Sequence, residues 1–575
     1  VSRPAHLRRT AWLAAVAGTL IAPVVARAAT IAVTTTADAA HATTGCSLRD
    51  AIGVATVLSW SAPGCTVKGS GAVTVRLTAG TYRLTIASAP GDDATSGDLD
   101  VSGGTVSIVG AGARATIVDA SALGDRILHV HVGASVTLDA LTLRGGRASD
   151  GVSSNAPNVP GGPGADGGGV LDEGSLTVVD ATFSDNRAGN GGAAASGFGA
   201  SAGGNGGSGG AVFASGSLVL ERVTLDHNAA GDGAGGGSDG SNAPTFPVPG
   251  GRGGPGGSGG AIASAGPLTV RASTLTANHA GSGGRGGDGG SATPLLPTTG
   301  AAGGDGGAGG TGGALLATGV ATLGSDTIAA NAAGSGGSGG PGGSGFGSLG
   351  PGPPGAYGAD GPTGGVAGLA ANPVTLVATI LAGNAGGNCD LVASDTSHHD
   401  VRWGDSSCAG PFAETDPLLG PLADNGGPTW TMMPAAGSLV VDIVPATTCR
   451  GTTDQRGVPR PFPTDGPCDV GAVEAVPAPS CTALVVGTHR GAPVTIDAGC
   501  TDLVGTLQAT VVAAPRHGTV TVTAGLVRYR PRTGFVGNDA LTFRLVGANG
   551  SPGVVPVAIV VTRPARCVVP QLVGV

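Results

Sequence analysis

Lysine occurs once in 575 residues, at Lys68, and aromatic residues make up only 3 % of the chain. Charged residues are 12 % and the formal net charge is −9. A nucleic-acid partner would demand a basic face, and none is present. With three Tyr and four Trp, the sequence is thin in the rings that stack on sugars. After residue 28 no run of 18 apolar residues occurs, so no later segment reads as a membrane-spanning helix. The Cys-x-x-Cys spacings of a zinc site are missing, and the glycine runs lack the Lys-Ser/Thr of a phosphate loop. Nothing in the sequence calls for a cofactor.

What is present is glycine, 112 residues, with 39 prolines. The window from Leu141 to Ala370 holds 72 of the 112 glycines, which leaves an ordinary share for the rest. Collagen is excluded, because Gly250 to Gly260 reads Gly-Gly-X rather than Gly-X-Y. Residues 1–28 combine a basic start, an apolar stretch from Ala11 to Val25 and Ala26-Arg27-Ala28, the pattern of a secretory leader. Removing its four arginines leaves roughly −13 on the mature chain.

Nine cysteines fit an exported protein. Eight form neighbouring pairs of one spacing: Cys46 and Cys65, Cys389 and Cys408, Cys449 and Cys468, Cys481 and Cys500. Local pairing is the simplest of the 105 possible connectivities. Cys567 is left over, free or available for an intermolecular bond.

Five segments repeat one pattern: Gly167 to Asn186, Gly209 to Asn228, Gly259 to Asn278, Gly312 to Asn331 and Gly364 to Asn384. Three residues before each Asn stand Phe183, Leu225, Leu275, Ile328 and Leu381; eight before stand Val178, Leu220, Val270, Leu323 and Leu376. A Gly-Gly entry followed by short alternating runs predicts three short strands per unit, one coil of a β-solenoid. A lone coil gains roughly 9–18 kcal/mol from about six buried aliphatic side chains. Ordering its roughly 20 residues costs about 20–40 kcal/mol. Coils must therefore stack. Asn186, Asn228, Asn278, Asn331 and Asn384 are then expected one above another as a structural ladder, each taking the left-handed conformation of a tight corner. Thr105 to Ala120, Ile127 to Val132 and Ser135 to Gly146 read as earlier coils.

Between coils lie glycine-rich inserts, always entering after the Asn, so they share one edge of the solenoid. Several keep a triplet rhythm, as in Gly203 to Gly210 and Gly303 to Ala308. Three is the period of the polyproline-type helix. Two states are open: a sheaf of extended glycine helices, or a disordered fringe.

Motifs flank the solenoid. Cys46-Ser47-Leu48-Arg49-Asp50-Ala51-Ile52, followed by Gly97-Asp98-Leu99-Asp100-Val101, resembles the C-S-L-R-E-A motif of exported bacterial β-helix proteins, with Asp50 in place of Glu. From the residues alone, Ser47 caps a short helix with Leu48, Ala51 and Ile52 on one face. Asp416 to Gly420, Asn425 to Thr429, Asp454-Gln455-Arg456-Gly457, Arg460-Pro461 and Cys468 to Ala472 resemble the choice-of-anchor Q module. There Gly437 to Asp442 departs from the usual G-S-P-A-I-D. Pro515 to Val520, Val527 to Pro531 and Gly534 to Asp539 with Phe543 are similar to bacterial cadherin-like or Ig-like repeats.

The expected organisation is all-β: leader 1–28, N-terminal cap 29–104, right-handed parallel β-helix with inserts 105–411, C-terminal cap 412–476, Ig-like sandwich 477–562 and tail 563–575. Parallel β-helices often carry glycan-cleaving enzymes, which need two carboxylates about 5–9.5 Å apart. The column six before each Asn reads Asp180, Arg222, Ala272, Ser325, Ala378 and the column one before reads Asp185, His227, Ala277, Ala330, Gly383, with no carboxylate cluster. His129 and His131 share a strand face and could bind metal, but no third ligand is evident near them. Ser397-His398-His399-Asp400 mimics a catalytic cluster, and Asp454, Arg456 and Asp469 fit ion pairs that fix a turn-rich cap. The resemblances imply an exported surface or extracellular protein, and with no carboxylate cluster or nucleophile constellation the expected role is non-catalytic adhesion or matrix interaction with glycans or cell-surface proteins. A polysaccharide lyase or hydrolase and a passive envelope protein are the alternatives.

Overall fold

The structure, a computed structural model, describes residues 29–564 apart from 57–59, 69–71, 90–93, 157, 198–200, 240–246, 294–298, 348–349, 365–367, 372, 391–395, 409, 450, 452, 477–480, 498–507, 524–525 and 547–551. The expected leader, Cys500 and Cys567 lie outside the described residues.

Among the described residues, three sheets of 11, 10 and 8 strands step through the chain in parallel, except for Val67–Lys68, which pairs antiparallel with Ala29–Ala32 at the edge of the first, and this makes a parallel β-helix. Each repeat supplies one strand to each sheet, for example Val212–Ala214, Ser217–Glu221 and Thr224–Asp226. The apolar columns stack in the register the repeat spacing predicts: Val178 pairs with Leu220, Leu220 with Val270, Val270 with Leu323 and Leu323 with Leu376. Phe183, Leu225, Leu275, Ile328 and Leu381 form the second column, every member fully buried. The parallel ladder begins earlier than the cap boundary at 105 implies. Ala29–Ala32 pairs with Val73–Arg76, and that strand with Thr105–Val109.

The Asn column is a continuous buried ladder. Each side-chain amide donates to the next Asn Oδ1: Asn186 to Asn228 (2.9 Å), Asn228 to Asn278 (3.0 Å), Asn278 to Asn331 (2.9 Å) and Asn331 to Asn384 (2.9 Å). It runs on to Asn388 (2.8 Å), which ends it on the Trp403 carbonyl (2.9 Å). The expected left-handed Asn corner is corrected. The left-handed residues are those one place before, Asp185, His227, Ala277, Ala330 and Gly383, with φ of 54–62°. A second left-handed column, Asp180, Arg222, Ala272, Ser325 and Ala378, stands six before the Asn. The two columns searched for clustered acids are thus the two corner columns. The Asn itself turns inward to satisfy buried backbone groups, which carry a penalty of about 1–3 kcal/mol each when unpaired.

At the N-terminal end the helix Leu48–Thr56 packs on the first coils, burying Leu48, Ala51 and Ile52. Ser47 Oγ caps the helix by accepting from the Asp50 N–H (3.0 Å), while the Asp50 carboxylate accepts from the His41 N–H (2.6 Å) and the Trp60 indole (3.2 Å) in the segments before and after the helix. Arg49 is buried and donates to the carbonyls of Gly97 and Asp98, both at 2.8 Å, and to Asp38. That contact links the two halves of the N-terminal motif.

The described residues of the inserts form a two-layer sheaf. In the limb 250–260, Gly251, Gly254 and Gly257 donate to the carbonyls of Gly237, Ala234 and Gly231 in the other layer, while Gly253, Gly256 and Gly259 donate to Asp305, Ala308 and Thr311 in the next insert. Both series advance by three residues, the period of the polyproline-type helix. Successive inserts leave successive coils at one point, so their separation is tied to the strand spacing of about 4.8 Å. A Cβ built on any of many inner glycines overlaps a neighbouring carbonyl, although Ser201, at the end of one limb, holds an inner position and is buried. Every third residue points outward and is free to vary. Three inner positions do carry alanine, Ala165, Ala234 and Ala301, and all three are partly exposed.

The segment expected as a C-terminal cap begins with Ala413–Glu414, which pairs with Val401–Trp403 as the last strand of the second sheet, and its later residues turn back over the coils. They lie along the flank of the second sheet: Thr224 Oγ1 donates to the Trp430 carbonyl (2.6 Å), Thr274 Oγ1 to Gln455 Oε1 (2.6 Å), and the Gly471 N–H to the Ala378 carbonyl (2.8 Å). The outward threonine column of sheet two supplies the docking row, so a side wall is covered. Residues 484–562 form a separate sandwich of four and three strands. Its own core centres on Tyr529 and Phe543.

Candidate functional site

The sequence-predicted chemistry is mostly absorbed by structure. Asp180 and Arg222 form a half-buried pair (2.7 Å) between neighbouring corners. Asp400 accepts from the N–H groups of Thr379 (2.7 Å) and His398 (2.8 Å), closing a corner rather than serving a catalytic cluster. Arg456 Nε donates to Asp454 Oδ2 (2.9 Å) with both side chains fully buried. Asp469 accepts from the Asp442 N–H (2.8 Å). Cys46–Cys65, Cys389–Cys408 and Cys449–Cys468 are disulfides, and Cys481 is disulfide-bonded as well. Such a set belongs to a protein that folds outside the reducing cytosol. Among the described residues no helix is long and apolar enough to cross a membrane.

Three surfaces remain. The first is a groove of about 620 Å³ between the solenoid wall and the loop 447–453. Its floor presents Glu221 beside Arg271, its cross-strand partner. Glu221 is ion-paired with Arg222 and is the one carboxylate of that lining, so the groove does not present the acid pair that glycoside hydrolysis uses.

The second is the outer surface of the sheaf. Its outward residues are short, and they are tied together through the N–H groups that the inner bonding leaves over. In one layer Asp166 Oδ1 accepts from Ser208 N (2.6 Å), Ser208 Oγ from Ser258 N (3.2 Å) and Ser258 Oγ from Thr311 N (3.0 Å). In the other, Asp150 accepts from Asn190 N (2.7 Å), Asn190 from Asp232 N (3.0 Å) and Asp232 from Ser282 N (2.8 Å). Proline stands at outward positions such as Pro255 and Pro341, where its carbonyl still accepts and no N–H is needed. The result is a fixed grid of small polar and apolar side chains, roughly 9 Å apart along a limb and about 4.8 Å across limbs.

The third is a side-chain cluster on the outer face of sheet three. Asp100 and His129 are direct partners in neighbouring strands, and His131 follows two residues on. His131 Nε2 lies 2.7 Å from Asp100 Oδ1, and His129 Nδ1 lies 3.8 Å from the same oxygen. The two rings stack with centroids 3.8 Å apart. Glu173 on the following coil places Oε2 3.1 Å from His129 Nε2. Burial pushes the His129 imidazole below its usual range, opposed in part by the Glu173 bond. Asp100 Oδ2 is buried without a hydrogen-bond partner. The expectation that no third ligand stands near His129 and His131 is therefore corrected: Asp100 comes from the previous coil, and its donor atom and those of the two histidines lie within 4.8 Å of one another. The signal was legible, since Leu99-Asp100-Val101 and Leu128-His129-Val130 share one apolar-x-apolar pattern.

No known protein family matches the chain, and no curated protein matches it.

Proposed function

We propose that this is an exported bacterial surface or matrix protein that binds an extracellular glycan or cell-surface protein without transforming it. The observation that carries this reading is the rigid grid on the two outer faces of the sheaf. Its backbone is pre-ordered by hydrogen bonds and its side chains are short, so little conformational entropy remains to be lost on binding. The disulfides and the leader pattern support export. The motif resemblances support an envelope or matrix setting, with the C-terminal sandwich as a spacer or adhesive unit.

The groove beside Glu221 keeps a glycan-cleaving enzyme as the second reading. Both are tested by incubating the purified chain with bacterial and host extracellular polysaccharides and with whole cells. Retention on a glycan or cell surface with no release of reducing ends or unsaturated products is expected. Product release that disappears in Glu221→Gln would overturn the non-catalytic reading. Absence of any retention would leave a passive envelope protein as the better account.

A further inference from the structure

We propose that Asp100, His129 and His131 form a binding site for one divalent transition-metal ion of the zinc class. Two imidazole nitrogens and one carboxylate oxygen are the donors that Zn²⁺, Ni²⁺ and Cu²⁺ prefer, whereas Ca²⁺ takes six to eight oxygens. Tetrahedral bonds of about 2.0–2.2 Å put neighbouring donors roughly 3.3–3.6 Å apart. The 2.7 Å and 3.8 Å separations around Asp100 Oδ1 bracket that span. A small splay of the stacked rings opens the pocket to the ion.

Two further observations point to a ligand rather than to a bare hydrogen-bond cluster. Asp100 is about nine-tenths buried, yet its Oδ2 has no partner. An oxygen in that state costs stability unless something electropositive reaches it. Glu173 also stands where an outer carboxylate stands in metal centres: by accepting from His129 Nε2–H it fixes the tautomer and leaves the Nδ1 lone pair facing Asp100. The ion takes the place of the proton shared by His131 Nε2 and Asp100 Oδ1, and carboxylate chelation through both oxygens gives Oδ2 its partner. Three protein donors leave a fourth position to water, and the His131 side chain, about one-third exposed, leaves the site open on that side. The site does not depend on the surface-binding reading, because it lies on the solenoid wall and not on the sheaf.

The test is calorimetric titration of the tag-free, chelator-stripped full chain with ZnSO₄, alongside Co²⁺ absorption spectroscopy and a CaCl₂ control. One Zn²⁺ per chain, a Co²⁺ d–d band and no response to Ca²⁺ at equal concentration are expected. His131→Ala and Asp100→Asn lose at least about 100-fold in affinity, Glu173→Gln loses roughly 10–100-fold, and exposed His279→Ala loses none. Far-UV circular dichroism of the metal-free variants checks that they fold. A wild-type chain that binds no Zn²⁺, binding that persists in His131→Ala and Asp100→Asn together, or equal binding of Ca²⁺ would overturn the assignment.

Discussion

Replacing Gly307 with alanine measures how tightly the sheaf is packed. Gly307 is buried among neighbouring limbs, donates to the Gly284 carbonyl (2.8 Å) and accepts from the Gly337 N–H (2.8 Å). A methyl carbon built there would lie 2.5 Å from the Gly254 carbonyl carbon and closer still to its oxygen. Carbon atoms at optimal contact stand about 3.5–4.0 Å apart, so the limb must retreat by roughly 1 Å. Both bonds lie in the path of that shift. Losing two hydrogen bonds at about 1 kcal/mol each, with overpacking of about 1–3 kcal/mol, gives a local destabilisation of roughly 3–5 kcal/mol. The control is Gly235→Ala, in an outward position of the same sheaf, where a Cβ meets nothing nearer than the Arg285 carbonyl oxygen at 3.7 Å. Its φ is outside the left-handed range, so it should be neutral or gain about 0.4–1 kcal/mol through the unfolded chain. Amide hydrogen exchange, read at Gly306, Gly307 and Gly337, reports the local opening free energy. Equal protection in Gly307→Ala and wild type, or equal losses in both variants, would refute the close-packing reasoning.

Asn278→Ala should destabilise by about 3–5 kcal/mol in urea titration, because it takes the acceptor from the buried Asn228 N–H, removes the amide bonds to the Leu225 and Thr276 carbonyls and cuts the ladder to Asn331; Asn278→Ser, which keeps a polar atom, should lose less. Arg49→Met should cost about 3–5 kcal/mol by removing one member of a buried ion pair and baring the carbonyls of Gly97 and Asp98, seen as a drop in melting temperature. Burial raises the carboxyl of Asp326 to about 8 and that of Glu474 to about 7. The folded chain then holds protons that the unfolded chain has released, so stability falls as pH rises from the ordinary carboxyl range to about 8 and levels off above it. Each group contributes a slope of up to about 1.4 kcal/mol per pH unit. Lowered His129 acts in the opposite sense, with its effect largely complete near its ordinary value of 6.5, while Asp172, raised to about 6, adds the end of its titration in the same sense as the two carboxyls, so urea titrations between pH 6.5 and 8 should show falling stability, and a rise across that window would contradict the reading.

The coil was legible because one residue in each repeat is invariant in position. Counting back from the Asn gave both apolar columns, and the strands pair in that register. The role of the Asn was misplaced. A left-handed residue and its neighbour are indistinguishable by spacing when the neighbour varies among Asp, His, Ala and Gly. The metal-type cluster was half legible: the two histidines stand together in sequence, while Asp100 meets them only because one coil of the solenoid separates the strands. The sequence marks a turn-rich segment after the coils, but where it docks depends on the threonine column of sheet two.

By itself the sequence determined the coil, its register and the place where every insert leaves it, because a stacked solenoid repeats one local pattern and a one-residue slip would turn its core outward. Whether the glycine inserts are ordered was decided only in three dimensions. A Gly-Gly-X limb alone has no partner for its backbone groups. The coils beneath hold successive limbs at strand spacing, and there most inner positions leave no room for a Cβ while the third residue is left to face outward.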